Sequence, residues 1–451
     1  MTAAMESERG ASLEERTRRR ITRRLVPFLF VLYVLNYIDR VNISFAALQM
    51  TGDLHFSNAV FGFGAGIFFI GYFLLQIPST LLTEIWSARN FIGLSLVIWG
   101  VLATSTGFVN NATQFYWVRF FLGIAEAGFF PGVIVYLTHW YRYQDRGKAV
   151  AMFMTAIPVS NMLGAAVAAS LMRLSWLGFR GWRWLLIMEG FPAVVAGVFT
   201  FFYLTDWPKD ATWLPQDEKE WITAELERER NAKKNQGKLS PWKALRDPQV
   251  MILAAVYFCY ITNSVGLGSW LPQIVKRISG LSQTEVILIS GIPWLAAIPA
   301  MLVTASHSDK TRERRWHAAI PLFVVGIALA MSIAAGNHLV LAIAAFSIAT
   351  MALYSFPSPF WTLPTILLSG PAAAASIALI NSTGNLGGFV GPYLIGYLAD
   401  KTGGYTAGIM YLIACGLVGS VLVLSLRTTR VEPTITVPTE IPQRQVVSPS
   451  T

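Results

Sequence analysis

Asp39 and Arg40 stand side by side in an apolar stretch running from Leu25 to about Leu48, and Arg119 and Glu126 share another from about Phe115 to Leu137. Carrying an ionisable side chain to the depth of a bilayer costs roughly 2.5–3.5 kcal/mol on insertion scales, so such groups are kept where they face a water-filled cavity or a partner. Arg119 and Glu126 are seven residues apart, about two helical turns, and so lie on one face. Four charges on two helices could neutralise one another. In a functional reading, the planar Arg40 guanidinium grips a carboxylate substrate bidentately. Asp39 and Glu126 then take up protons, and Arg119 holds an acid charged when the site is empty. The competing reading is a buried ion-pair network that fixes one helix against the other and needs no substrate. Two acids and two bases exceed what packing requires, which favours the functional reading.

Other polar groups are candidates for the same cavity. Asn381 and Asn385 are four residues apart and share a helical face, and a buried amide needs partners that an apolar core cannot give. Asn381 is read as a substrate contact, against hydrogen bonding between helices. The run from Tyr354 to Trp361, YSFPSPFW, is interrupted by two prolines, so its helix should kink or unwind. Irregular backbone at membrane depth lines cavities, which makes Ser358 and Trp361 candidates, with Tyr37 and Tyr72 from the first half. Each aromatic has packing as its alternative. Glu189 lies near a span end, where Arg180 or Arg183 is expected to pair with it by snorkelling. The five histidines form no ligand cluster, and no phosphate-cradling glycine loop is present, so neither a metal, another cofactor nor ATP drive is indicated.

These groups need spanning helices to hold them, and the composition supplies them. Of 451 residues, 54% are hydrophobic and 13% charged, with a mean hydropathy of +0.50, far from a soluble domain of this length. Runs of about 20 apolar residues fall near 25–48, 58–80, 90–109, 115–138, 148–171 and 183–205. A second set lies near 249–275, 284–305, 316–336, 338–361, 372–397 and 404–426. The expected architecture is an all-α membrane protein of twelve spans in two six-helix bundles, residues 25–205 and 249–426. Around them lie an N-terminal tail (1–24), a linker (206–248) and a disordered C-terminal tail (427–451). Gln216 to Lys234 in the linker has helical character, with its charges read as a solvated face.

The net charge of +10 does not point to nucleic acid, because the Lys and Arg residues fall mostly between apolar runs, where they orient the chain. Arg16, Arg18, Arg19, Arg20, Arg23 and Arg24 crowd against the first span and place both termini in the cytoplasm. The group from Arg173 to Arg183 runs against that rule. No cleavable signal peptide is read at the N-terminus. Cys259 and Cys415 sit in apolar runs without metal or disulfide spacing and are read as packing residues. The segment YVLNYIDR at Tyr33–Arg40 can be laid over YFCYITNS at Tyr257–Ser264, which sets Asn263 opposite Asp39 and Ser264 opposite Arg40. Ion chemistry then belongs to the first bundle, and neutral polar groups of the second orient the substrate.

Three stretches carry a family resemblance: LNYIDRVNISFAALQM from Leu35 to Met50, RFFLGIAEAGFFPGVIVYLTHWY from Arg119 to Tyr141, and SDKTRERR from Ser308 to Arg315. The chain resembles the major facilitator superfamily and, within it, the anion:cation symporter family of tartrate, phthalate, galactonate and hydroxyphenylacetate transporters. The likeness covers nearly all of Leu25–Arg427. It implies a central site, alternating access and proton-coupled uptake of a small organic anion by a monomer in the bacterial inner membrane. By motif, Asp39 and Glu126 match the family's protonation positions, Arg40 and Arg119 its arginines, and Asn381 its asparagine. Two departures stand out: the loop from Leu82 to Arg89 lacks the superfamily's aspartate and most of its basic residues, and Gln76 replaces an acid found in many relatives. The alternative function is an organic-anion exchanger or a drug or metabolite exporter. An enzyme is not indicated, since no catalytic cluster is present.

Overall fold

Within a bilayer, a long apolar segment must satisfy its backbone along its own length. The computed structural model is accordingly helical throughout, with no strand among the described residues, 2–234, 247–367 and 371–426. The tail expected to be disordered and residues 235–246 of the linker lie outside these.

The first half comprises α1 (Thr2–Asp53), α2 (Asn58–Ile85), α3 (Ala88–Thr106), α4 (Ala112–Glu126), α5 (Phe129–Thr138), α6 (Tyr143–Met154), α7 (Ala156–Leu171) and α8 (Gly181–Tyr203). After α9 (Gln216–Lys234), the second half comprises α10 (Pro248–Ser279), α11 (Gln283–Thr311), α12 (Arg315–Ala334), α13 (Leu339–Ser355), α14 (Pro357–Leu367), α15 (Pro371–Asn385), α16 (Gly387–Thr402) and α17 (Thr406–Ser425). Eleven helical stretches among the described residues are long and apolar enough to cross a membrane. Between the tenth and eleventh of these stretches lie two further, shorter helices, α15 and α16. Large apolar side chains such as Phe202 and Val340 project from the outside of the bundles, as a lipid-facing surface requires.

The breaks have local causes. Pro131 cannot donate back to the preceding turn, and the fourth span divides into α4 and α5 just after Glu126. Pro357 divides α13 from α14, as its ring predicts. Gly387 and Gly388 follow the junction of α15 and α16.

One expectation is corrected at the arginine-rich end, where α1 already includes the stretch before Leu25. The α9 charges are not all solvated: Glu218 is fully buried, with Oε1 2.8 Å from Arg16 Nε and Oε2 3.3 Å from Arg20 Nε. Packing α9 onto α1 removes water from that carboxylate, which sequence periodicity alone does not reveal.

The halves meet where α2 lies along α16, α1 along α10 and α7 along α11. At the end of the molecule carrying Asp53, the contact is close. A Cβ on Gly396 would overlap the Asn58 carbonyl, so only glycine fits there. Asp400 accepts from the backbone N–H groups of Asn58 and Ala59 at 3.1 and 2.8 Å, capping the start of α2. Gln49 donates to Gln283 at 2.7 Å, and Arg173 to Thr284 at 3.0 Å. Arg180 pairs with Asp53 at 3.0 Å, and Arg183 donates to the Gly107 carbonyl at 2.9 Å. The basic group that defies the orientation rule is therefore engaged in binding helix ends and loops.

Candidate functional site

Asn36, Asp39 and Arg40 project from the C-terminal part of α1, Asp39 three and Arg40 four residues after Asn36, which turns Asn36 and Arg40 to a common face. Glu126 meets that face from the last residue of α4. Its Oε1 accepts from the Asn36 amide and from Arg40 Nε, the latter at 2.5 Å. Glu126 is 1% exposed, whereas the Arg40 side chain keeps 23% of its surface open. The Arg40 side chain is thus held by the acid on one side and keeps part of its surface open. Its carbon lies over the rings of Tyr72 at 5.1 Å, Tyr37 at 5.5 Å and Phe68 at 5.7 Å, where ring faces attract a cation.

Asp39, 3% exposed, points elsewhere. Its Oδ2 accepts from the Trp99 indole N–H at 2.6 Å, and its Oδ1 from the Asn42 amide at 3.3 Å. Trp99 reaches from α3 to α1, and no arginine forms an ion pair with Asp39 among the described residues. Arg119 differs from expectation too. It is 4% exposed and donates to the Gly64 and Ala65 carbonyls of α2 at 3.4 and 3.5 Å, with its carbon 4.9 Å from the Phe68 ring centre. Close approach of α2 and α4 permits this, since a Cβ on Gly123 would overlap the Phe68 carbonyl. The four charges therefore do not form one mutual network. One ion pair, one carboxylate held by neutral donors and one arginine held by carbonyls replace it.

From the second half, Trp361 packs edge-on against Tyr257 at 4.9 Å, and Tyr257 stacks on Phe360 at 5.4 Å. Ser358 is exposed one turn before Trp361 and shares its face. Asn381 is half-buried on α15. Its neighbours Ser382 and Asn385 reach the first half, donating to Gln76 Oε1 on α2 at 3.2 and 3.4 Å. Asn161 on α7 donates to the Tyr354 hydroxyl at 3.3 Å, a further polar link between the halves. Asn263 is fully buried and donates to the Cys259 carbonyl of its own helix at 3.0 Å, so in this conformation it does not present itself to a substrate as the repeat implied.

Three contributors escaped the sequence reading. Asn36 was signalled, because an amide four residues before Arg40 shares its helical face. Trp99 carried no signal, being one of 15 tryptophans in an apolar chain. Gln76 stood out as a departure from relatives, but nothing identified its partners. The expected pairing of Glu189 with Arg180 or Arg183 is overturned. Arg180 is taken by Asp53, Arg183 by Gly107 and Asn110, and neither Glu189 oxygen has a hydrogen-bond partner.

The arrangement sets a partly open arginine side chain against one buried acid, with a second buried acid beside it on α1. Comparison with known proteins agrees with a carrier. Residues 29–392 match the family description "Major Facilitator Superfamily". A protein of Agrobacterium vitis named "Putative tartrate transporter" is 43% identical over 94% of this chain and 97% of its own. A "Quinolone resistance transporter" of Acinetobacter baumannii is 38% identical over 90% of this chain and 93% of its own. Among solved structures, a bacterial homolog to the human lysosomal transporter Spinster superposes with a TM-score of 0.71 at 18% identity, covering 91% of this chain and 95% of its own. The xylose transporter XylE of E. coli gives 0.71 at 15% identity, covering 90% and 97%.

Proposed function

The chain belongs to the major facilitator superfamily, and we propose that this transporter imports a small organic anion together with protons by alternating access. The substrate is an aromatic or hydroxylated carboxylate such as phthalate or tartrate. The observation that carries this reading is the ion pair between Arg40 and Glu126. A substrate carboxylate that arrives at Arg40 competes with Glu126 for the same guanidinium. Displaced, Glu126 would be a buried carboxylate without a counter-charge, a costly state that a proton relieves. Binding of the anion and of the proton are thereby linked, and by reciprocity each favours the other. Asp39, held by the neutral Trp99 and Asn42 donors and in no ion pair among the described residues, is a second proton position.

In this reading Tyr37 and Tyr72 wall the guanidinium, Arg119 supports the local positive field, and Ser358, Trp361 and Asn381 contact the substrate from the second bundle. Bundles 25–205 and 249–426 rock about the site as a monomer, without a cofactor. The N-terminal arginines hold both termini in the cytoplasm of a bacterial inner-membrane protein. The name of the A. vitis relative supports a hydroxylated diacid. The A. baumannii relative favours the alternative, export or exchange of an organic anion or drug.

Uptake of labelled tartrate, phthalate and galactonate into proteoliposomes, with and without an inward proton gradient, tests the proposal. Gradient-driven accumulation of one acid is the expected result. Exchange of preloaded acid without accumulation would overturn symport and favour the alternative.

A further inference from the structure

Glu189 occupies an unusual place. It lies on α8, 5% exposed, and both carboxyl oxygens are buried without a hydrogen-bond partner. The arginines of its own helix region are committed: Arg180 to Asp53, and Arg183 to Gly107 and Asn110. The elements packed against α8 are α3, α1 and, over a smaller area, α7. The sole ionisable residue of α3 is Arg89, at the far end, where its backbone caps onto Asp206. No ionisable residue occurs in α7. From α1 the groups that bear on Glu189 are the Asp39 carboxylate and the Asn42 amide. An ionised Glu189 would therefore face a second acid with no cation paired to it among the described residues, and the donor beside it, the Asn42 amide, also serves Asp39, inside a membrane-spanning bundle. That state costs several kcal/mol, and a bound proton removes the cost.

The position suits transfer. Glu189 is eight residues from the Gly181 end of α8, roughly 12 Å along the axis. Asp39 is fourteen residues from the Asp53 end of α1, roughly 21 Å. Both ends lie on the same side of the protein, joined by the Arg180–Asp53 pair. Asn42 is one turn from Asp39 toward that side and donates to it.

We propose that Glu189 is a proton-binding carboxylic acid on the route from the Asp53 end of the protein to Asp39. The proton leaves the Glu189 carboxyl and joins the Asp39 carboxylate, so that one acid becomes an anion as the other is neutralised. Glu189 is recharged from water when that end opens. Asn42 is a positioning residue that keeps the two acids facing. The proposal rests on the proton-coupled reading above.

The test uses the full chain. Infrared spectra of the purified protein report protonated carboxyl groups directly, without transport. A band present in the wild type and missing from Glu189→Gln is expected, and its persistence in Glu189→Gln would overturn the proposal. In proteoliposomes carrying a trapped pH dye, tartrate-driven proton entry in Glu189→Gln is expected to fall by about tenfold or more, as loss of one acid–base group commonly does. Its response to external pH is expected to flatten while tartrate counterflow persists, and Glu189→Asp should restore that response. Counterflow also shows that the variant is folded; were Glu189→Gln not to fold, Asn42→Ala provides the comparison, and proton entry and a pH response identical to wild type in that variant would overturn the proposal. Wild-type transport without proton movement would overturn the symport reading, whereas coupled wild-type transport unaltered by Glu189→Gln would overturn this proposal alone.

Discussion

Arg40 of α1 and Glu126 of α4 form an ion pair, with Nε 2.5 Å from Oε1, while Asp39, the next residue along the chain, turns to the Trp99 indole 2.6 Å away. Two adjacent side chains thus serve different partners on different helices. The pair is also asymmetric, since the acid is buried and the base partly open.

Replacing Arg40 by lysine is expected to raise the KM for the transported acid by tenfold or more, about 1.4 kcal/mol or greater. A point charge on a flexible stem does not reproduce the guanidinium fork or its stacking on Tyr37 and Tyr72. Concentration dependence of proteoliposome uptake measures this, and an unchanged KM would remove Arg40 from the binding site.

Glu126→Gln and Asp39→Asn are expected to abolish accumulation against a gradient and to leave counterflow exchange partly intact. The amides keep the volume and part of the hydrogen bonding but cannot carry the proton. Full concentrative uptake by both variants would sink the coupling assignment.

Gln76 Oε1 is the acceptor for both Ser382 and Asn385, so Gln76→Leu should strand two donors where the bundles meet. Each buried unsatisfied group costs about 1–3 kcal/mol. The expected outcome is a lower thermal midpoint and slower uptake at saturating substrate, with KM changed by less than about threefold. A KM effect as large as that of Arg40→Lys would instead place Gln76 against the substrate.

Asp400→Ala removes the cap that the second bundle supplies to the start of α2. Loss of such a cap costs about 0.5–2 kcal/mol, so the closed Asp53 end should open more often. Accessibility of a cysteine placed at Gln49 to a water-soluble thiol reagent is expected to increase. Labelling identical to that of the same cysteine in an otherwise wild-type chain would show that the cap does not hold that end shut.

The sequence alone determined the helical membrane architecture, because long apolar runs satisfy their backbone in only a few ways inside a bilayer. It also marked Asp39, Arg40, Arg119 and Glu126, because each charge is conspicuous where insertion is costly. The proline break after Ser355 was legible for a similarly local reason, a missing donor and a ring clash. Partnership was not legible. Whether Arg119 meets a carboxylate or two carbonyls depends on how closely α2 approaches α4, which Gly123 permits only in three dimensions. Glu218 looked solvated until α9 packed onto α1, and Glu189 looked paired until Arg180 and Arg183 found partners at the helix ends. One-dimensional spacing fixes which residues share a helical face; only the packing of helices against one another decides which charges find a counter-charge and which remain as acids able to hold a proton.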